Sequence, residues 1–110
     1  MLIPMILSPH VRELVSAIAA LCSPEKIYLF NAKRNLENQV TSFKLCIVAD
    51  TRDKAALERQ IYLELDCELP YDLVLYTPAE WMDFTEMPHS FAGEIQGKGV
   101  LLYDKAQPPE

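Results

Sequence analysis

The chain has 110 residues, of which 50% are apolar and 24% are charged, so it can bury one hydrophobic core and is too apolar to be disordered. Its formal net charge of −6 argues against a general nucleic-acid binder, which usually carries a basic patch. No apolar run approaches the ~20 residues of a membrane helix. Three scattered cysteines are too few for a disulfide framework, so we expect a cytoplasmic protein.

The sequence begins with an apolar arm, residues 1–7. This arm has neither a basic leader nor a small-residue cleavage site, so it is not interpreted as a signal peptide. A segment this apolar must pack on its own domain or on another chain, and we expect it to form the contact of a homodimer. Ser8 and Pro9 suit the first positions of a helix. Apolar residues at helical spacing predict that this helix continues to Cys22.

Short strands and helices are predicted along the rest of the chain. The predicted elements are a strand at 26–30, a polar loop at 31–41, a strand at 43–49, a helix at 52–65 capped by Thr51, a strand at 72–76, a helix from Pro78, a helix at 91–96, a strand at 100–103 and a frayed tail at 106–110. Trp81, Met82 and Phe84 are predicted as core, with a protein interface as the alternative. This order predicts a single α+β domain with a small mixed β-sheet and helices on one face.

Two strings, Ile-Tyr-Leu-Phe-Asn-Ala-Lys-Arg at 27–34 and Ser-Phe-Lys-Leu-Cys-Ile-Val at 42–48, carry a resemblance to a known family. They resemble, with substitutions, the minimal nucleotidyltransferases, small relatives of the DNA polymerase β-like superfamily. In that family one strand ends in Phe-Gly-Ser, the next carries Ser-Asp-X-Asp and aliphatic residues, and a third Asp opens a later strand. The stretches at 72–80 and 91–103 are similarly spaced, so the resemblance covers residues 11–104.

The resemblance implies a vestigial nucleotide-binding segment at the end of the first strand. The family's glycine falls on Asn31 and its serine on Ala32, and Lys33 and Arg34 follow. Glycine lets the backbone approach phosphates, and the serine hydroxyl helps to cradle them. Asn31 can still adopt left-handed backbone geometry, whereas Ala32 removes the hydroxyl. A Lys-Arg pair in a polar loop is more often simply solvated.

The family's metal-binding positions are largely replaced. Carried over by order, its two paired carboxylates fall on Phe43 and Leu45, which offer no oxygen ligand, and its third falls on Asp72. Asp72 alone should bind Mg²⁺ weakly, since this hard cation prefers several oxygen ligands. Ser42 and Lys44 flank the lost carboxylates, and Lys44 is interpreted as a charge that guards a sheet edge. We therefore expect no catalytic residues, no metal and no cofactor.

Three functions remain open at this point. The first is a nucleotidyltransferase-like domain without metal-dependent catalysis that acts as a binding or regulatory module. The resemblance implies a protein partner for it, since such relatives often pair with small helical HEPN proteins and in some pairs serve as antitoxins. The second is an active nucleotidyltransferase with non-standard ligands, which would use Mg²⁺ and ATP. The third is an unrelated small α+β interaction protein. The third differs from the first two in whether the strand of Phe43 lies beside the strand of Asp72, as a polymerase β-like core requires.

Overall fold

A computed structural model of the chain describes residues 8–106, so the predictions for the arm at 1–7 and for all but the first residue of the tail lie outside the described residues. The elements in chain order are α1 (Pro9–Cys22), β1 (Lys26–Arg34), β2 (Val40–Val48), α2 (Lys54–Glu64), β3 (Tyr71–Tyr76), α3 (Pro78–Thr85), α4 (Phe91–Lys98) and β4 (Val100–Asp104). The α+β class is confirmed. No helix within residues 8–106 combines the length and the apolar character that crossing a membrane requires.

The four strands form one mixed sheet in the order β3-β2-β1-β4. The strand β2 runs antiparallel to β1 and parallel to β3, and β4 runs antiparallel to β1. Because β2 and β3 are neighbours, Phe43 pairs with Tyr71 and Lys44 pairs with Asp72. The two strands that carry the candidate metal positions are therefore adjacent.

Helices cover both faces of this sheet, whereas the sequence predicted helices on one face only. One face packs on α1 and α2 through a cluster that contains Ile18, Leu45 and Ile61. The other face packs on the short helices α3 and α4 through Trp81 and Ile95. Alternate residues of β1 and β2 enter opposite clusters because side chains alternate across a strand. This alternation decides which side chains can share a site.

Side-chain caps set the helix starts. The Ser8 hydroxyl accepts a hydrogen bond from Val11 N at 3.2 Å and begins α1 as predicted. The predicted cap of α2 is wrong: Asp53, not Thr51, accepts from a first-turn amide, with Asp53 Oδ1 lying 3.0 Å from Ala56 N. Thr51 instead accepts from Asp53 N at 3.2 Å, which fixes the approach to the helix. The helix α2 therefore begins at Lys54, two residues later than the predicted start at residue 52.

The predicted polar loop at 31–41 is too long. β1 continues to Arg34 and β2 begins at Val40, so only residues 35–39 form the turn of a hairpin. Asn31 and the next residue lie opposite Phe43 in a β-bulge, and Asn31 has a φ of 52°. The turn is closed by Asn35, whose Oδ1 accepts from Glu37 N at 2.9 Å and from Gln39 N at 3.0 Å. Amide side chains thus supply the turn geometry that glycine would otherwise give.

A hydrogen-bonded group at the start of α3 links it to α2. Thr77 and Glu80 form a capping box, with Thr77 N donating to Glu80 Oε1 at 3.0 Å and Glu80 N donating to Thr77 Oγ1 at 3.1 Å. Lys54 Nζ of α2 donates to both oxygens of the Glu80 carboxylate, at 2.9 and 3.1 Å. The hydrogen bond from Lys54, and then that from Thr77, lowers the pKa of Glu80 below its usual 4.5. The charged form of Glu80 is therefore part of the fold.

We expect Glu80→Gln to lower the free energy of unfolding by about 0.5 kcal/mol near neutral pH, since the ion pair is partly exposed and screened by solvent. A carboxyl group with a depressed pKa in the folded state stabilises the fold above its unfolded pKa, and this contribution is lost as the pH falls through the folded pKa. In urea denaturation, the difference in the free energy of unfolding between the two proteins therefore narrows as the pH falls below the usual carboxyl pKa of 4.5. An unchanged difference at the acid end would contradict this role.

Candidate functional site

Phe43 and Leu45, onto which the resemblance carries the family's carboxylates, point away from Asp72. Both are buried in the cluster beneath α1 and α2, with 1% and 0% of their surface exposed. Asp72 is exposed and pairs with Lys44, so its side chain lies on the opposite face of the sheet. Carboxylates at Phe43 and Leu45 could not share a cation with Asp72.

The polar β2 residues that share the face of Asp72 are Ser42 and Lys44. Together with Asn31 and Lys33 they line a pocket of about 140 Å³ at the end of the sheet where β2 and β3 begin. The remaining lining residues are Phe43, Pro70 and Tyr71. Three of the residues that the sequence singled out, Asn31, Lys33 and Asp72, are therefore brought together in one pocket.

The bulge at Asn31 gives this pocket its wall. Asn31 occupies the left-handed region that favours glycine, at the position where the resemblance places the family's glycine. The bulge also turns Lys33 onto the face of Ser42, with which it pairs in the hairpin. The prediction that Asn31 adopts left-handed geometry is confirmed.

Ala32 and Arg34, predicted in the same nucleotide-binding segment, lie elsewhere. Ala32 packs against the core cluster on the α1 and α2 side of the sheet. Arg34 Nη1 donates to the backbone carbonyl of Asn38 at 3.2 Å, so the guanidinium is engaged with the hairpin turn. Of the predicted nucleotide-binding segment at 31–34, only Asn31 and Lys33 therefore line the pocket.

The pocket carries more positive than negative charge in an acidic protein. On this face of the sheet, the pocket is lined by the ammonium groups of Lys33 and Lys44 and by the carboxylate of Asp72. No ion pair joins either lysine to Asp72 within residues 8–106. The hydroxyl of Ser42 and the amide of Asn31 add neutral hydrogen-bond donors. This set of groups suits a small anion such as a phosphate rather than a divalent cation.

Lys44 is not the edge charge that the sequence suggests, because β2 is a central strand. The edge strand β3 is protected in another way: Leu73 N donates to the hydroxyl of Tyr62 on α2, at 3.1 Å. Lys44 is partly buried on the sheet face, where no guard against aggregation is needed.

An aromatic stack supports the pocket from behind. Tyr71 lies between Phe43 and Tyr62, with ring centroids 5.8 and 5.2 Å apart and nearly parallel planes. Burial, followed by the charges of Tyr62 and Cys67, raises the pKa of Tyr71, so its hydroxyl stays protonated near neutral pH. The stack holds the start of β3, and therefore Asp72, against β2.

A second pocket of about 120 Å³ adjoins the first on the same face of the sheet. It lies between the bulge of β1 and helix α4, and it is lined by Phe30, Asn31, Phe91, Glu94, Ile95, Lys98 and Gly99. Asn31 lines both pockets. A Cβ atom at Gly99 would lie only 2.6 Å from Ile95 O and 3.1 Å from Leu29 O, so glycine allows α4 to approach β1 here.

The other chemistry-bearing residues in the described part of the chain form no metal centre. No group of three His, Cys, Asp or Glu side chains within residues 8–106 is placed to hold a metal ion. Burial raises the pKa of Cys46 to about 12, which keeps the thiol protonated and unreactive. Trp81 is core as predicted, whereas Met82 and Phe84 are exposed on α3.

Sequence reasoning underestimated Ser42 and Lys44, although a signal for them exists. Phe43, Leu45 and Ile47 are apolar at every second position, which is the pattern of a strand face that packs on a core. The intervening residues must then face the other way, toward the side open to a ligand.

Comparison of the chain with protein-family models, with curated proteins and with solved structures found no match.

Proposed function

We propose that this protein is a nucleotidyltransferase-like binding module that has lost metal-dependent catalysis and holds a phosphorylated ligand without a metal ion. One observation carries the proposal: the β2 residues beside Asp72 in the pocket, on the same face of the sheet, are Ser42 and Lys44, a hydroxyl and an ammonium group. The adjacency of β2 and β3 and the left-handed Asn31 support the resemblance on which the fold assignment rests.

The position of Asp72 argues for a one-residue shift in the correspondence with the family. Three carboxylates can bind one metal cluster only if they project from the same face of the sheet. Lys44 pairs with Asp72, and this supports Ser42 and Lys44, rather than Phe43 and Leu45, as the positions that correspond to the paired carboxylates in the proposal. The conclusion that both carboxylates are replaced stays the same, and the replacing residues are now polar.

In this proposal, the positively charged Lys44 stands where the family has a negatively charged carboxylate. A carboxylate at that position attracts a cation, which in turn neutralises the phosphates of a substrate. An ammonium group attracts the phosphate directly through charge-assisted hydrogen bonds, and Lys33 adds a second positive charge. The ligand can then bind, but no ion is held that could activate an attacking oxygen.

A protein partner completes the proposal. Following the resemblance, we propose that the partner is a HEPN-type protein or a second copy of this chain, and that the pair acts in the cytoplasm. The exposed apolar side chains of Met82 and Met87 are compatible with such a contact, because Met is enriched at interfaces.

Calorimetry with ATP in a chelating buffer tests the binding site. We expect heat of binding without Mg²⁺, and we expect Lys44→Ala to weaken the affinity by about tenfold, since hydrogen bonds to charged groups are the stronger ones. Lys105→Ala is the matched control, because Lys105 is exposed and lies outside the pocket. Binding that requires Mg²⁺, or equal losses in the two variants, would contradict the proposal.

The alternative, an active nucleotidyltransferase, predicts metal-dependent transfer of a nucleotidyl group. Incubation with labelled nucleotides, Mg²⁺ or Mn²⁺ and candidate acceptors would then transfer label, and Asp72→Asn would abolish the transfer. We expect no transfer, because one carboxylate beside two lysines gives a divalent cation too few anionic ligands.

A further inference from the structure

The outer side of α4 carries an exposed ridge between two concave surfaces. Ala92 and Ile95 of this helix are buried in the cluster beneath α3 and α4, whereas Glu94 and Lys98, one helical turn apart, are exposed and form the ridge. Both ridge residues line the pocket between α4 and the bulge of β1. Both also line a larger groove of about 520 Å³. The ridge therefore separates the two concave surfaces.

The larger groove, called the α4 groove below, lies between α4 and the connection from α3. Its lining includes Met87, Gly93 and Gly97. The side chain of Met87 is 53% exposed at this groove. Methionine adapts its shape to a bound surface, and an exposed apolar side chain beside an open groove is typical of a protein contact.

Gly97 is not required by the fold within residues 8–106. Its φ is not positive, and a Cβ atom at this position would meet no atom within 4 Å. Glycine lowers the stability of a helix relative to alanine, because its backbone loses more conformational freedom on folding. The bare backbone at Gly97 would instead allow a second helix to approach α4 closely.

The charges of the ridge indicate which helix fits there. Glu94 lies four residues before Lys98, and no ion pair joins either side chain to another within residues 8–106. If two copies of α4 pack antiparallel about a two-fold axis, Glu94 of each copy faces Lys98 of the other, and two pairs of opposite charges form. The antiparallel arrangement also places opposite ends of the two helix dipoles side by side.

We propose that α4 forms the contact between two copies of this chain, with the ridge of each copy set in the α4 groove of the other. Phe91, which is 51% exposed and lines the pocket beside the ridge, is covered by the same contact. The contact does not depend on the phosphate pocket. It selects the second copy of the chain from the two partners proposed above, and it places the interface on α4 rather than on the arm at residues 1–7.

Light scattering during gel filtration of charge-reversed variants tests this contact. We expect the unmodified protein to be a dimer, and we expect Glu94→Lys and Lys98→Glu each to weaken dimerisation at least about tenfold, because each places like charges opposite one another. An equimolar mixture of the two variants should dimerise again, since one ridge is then positive and the other negative. Lys105→Glu is the matched control, because Lys105 is exposed and lies outside both concave surfaces.

Gly97→Leu separates the contact from the stability of the fold. The new side chain extends into open space and favours the helix, so at concentrations where both proteins are monomeric the urea midpoint should be unchanged or higher. The same side chain fills the α4 groove, so dimerisation should be lost. A lower urea midpoint together with an unchanged dimer would contradict the assignment of Gly97.

The outcomes distinguish this contact from the phosphate site. A monomeric unmodified protein, or a dimer that both charge-reversed variants retain, would overturn the proposal, and so would a mixture of the variants that stays monomeric. Calorimetry with ATP is read separately: an unmodified dimer that gives no heat of binding would overturn the proposed function and leave the α4 contact standing.

Discussion

Replacing Phe43 and Leu45 by Asp is expected to unfold the protein, whereas replacing Ser42 and Lys44 by Asp is expected to leave it folded. Phe43 and Leu45 are fully buried in the core beneath α1 and α2. Truncation of such side chains alone costs about 2–5 kcal/mol each, and burial of a carboxylate without a partner adds several more. The sum reaches the whole stability of a typical domain, about 5–15 kcal/mol.

The matched double variant differs by one position along the same strand. Ser42 and Lys44 line an open pocket, so new carboxylates there remain in contact with water. Circular dichroism and urea denaturation of the two double variants measure the difference. A folded Phe43→Asp/Leu45→Asp protein, or an unfolded Ser42→Asp/Lys44→Asp protein, would show that the faces of β2 are assigned the wrong way round.

The second large effect is a gain of metal binding in the Ser42→Asp/Lys44→Asp variant. The two new carboxylates and Asp72 would project from the same face of β2 and β3, which is the arrangement that a hard divalent cation requires. Removal of the Lys44 ammonium also removes a repulsive charge. We expect Mn²⁺ to bind at least about tenfold more tightly than to the unmodified protein, because affinity rises with the number of charged oxygen ligands.

Calorimetry or the paramagnetic effect of Mn²⁺ on water relaxation measures this gain. Addition of Asp72→Asn to the double variant is the control, since it removes the third ligand and should reverse much of the effect. Failure of the double variant to bind Mn²⁺ would contradict the one-residue shift in the correspondence with the nucleotidyltransferases.

Much of the fold follows from local chemistry that the sequence displays. Ser8 with Pro9 and Thr77 with Pro78 mark helix starts that the structure confirms, because a hydroxyl cap and a proline act within a few residues. The start of α2 was harder to predict, since Thr51 and Asp53 compete as caps only two residues apart. The adjacency of β2 and β3, required by a polymerase β-like core, is seen in the sheet.

The hairpin at 31–41 shows why polar composition is a weak guide to a loop. Asn35 supplies the hydrogen bonds of the turn, and left-handed Asn31 and Asn38 replace glycine in it. These residues look like loop residues in sequence, yet they serve a tight hairpin whose strands gain their stability from pairing. Long-range pairing of this kind has no local signature, so the strand ends were underestimated.

The choice of site residues on β2 depends on the register of the motif along the strand, and an error of one residue selects the wrong face of the sheet. Moving the correspondence by one position transfers both candidate residues to the other face of the sheet. The sequence motif alone could not fix this register, since Phe43 and Leu45 and the pair Ser42 and Lys44 have the same spacing. The pairing of Lys44 with Asp72 shows which β2 residues share the face of Asp72. The second layer of helices, α3 and α4, likewise needed the structure, because helices this short carry little pattern.

The central claim is that the pocket attracts an anion without a metal ion, and the affinity of Asp72→Asn for ATP, measured in a chelating buffer and again with Mg²⁺, tests it most directly. If Lys33 and Lys44 hold the phosphate, the Asp72 carboxylate repels it, and its neutralisation tightens binding severalfold by removing a like charge from the pocket. If Asp72 instead serves as a metal ligand, the same substitution weakens binding, and the loss is seen only when Mg²⁺ is supplied. The first result is the one we expect, and the second would contradict the account.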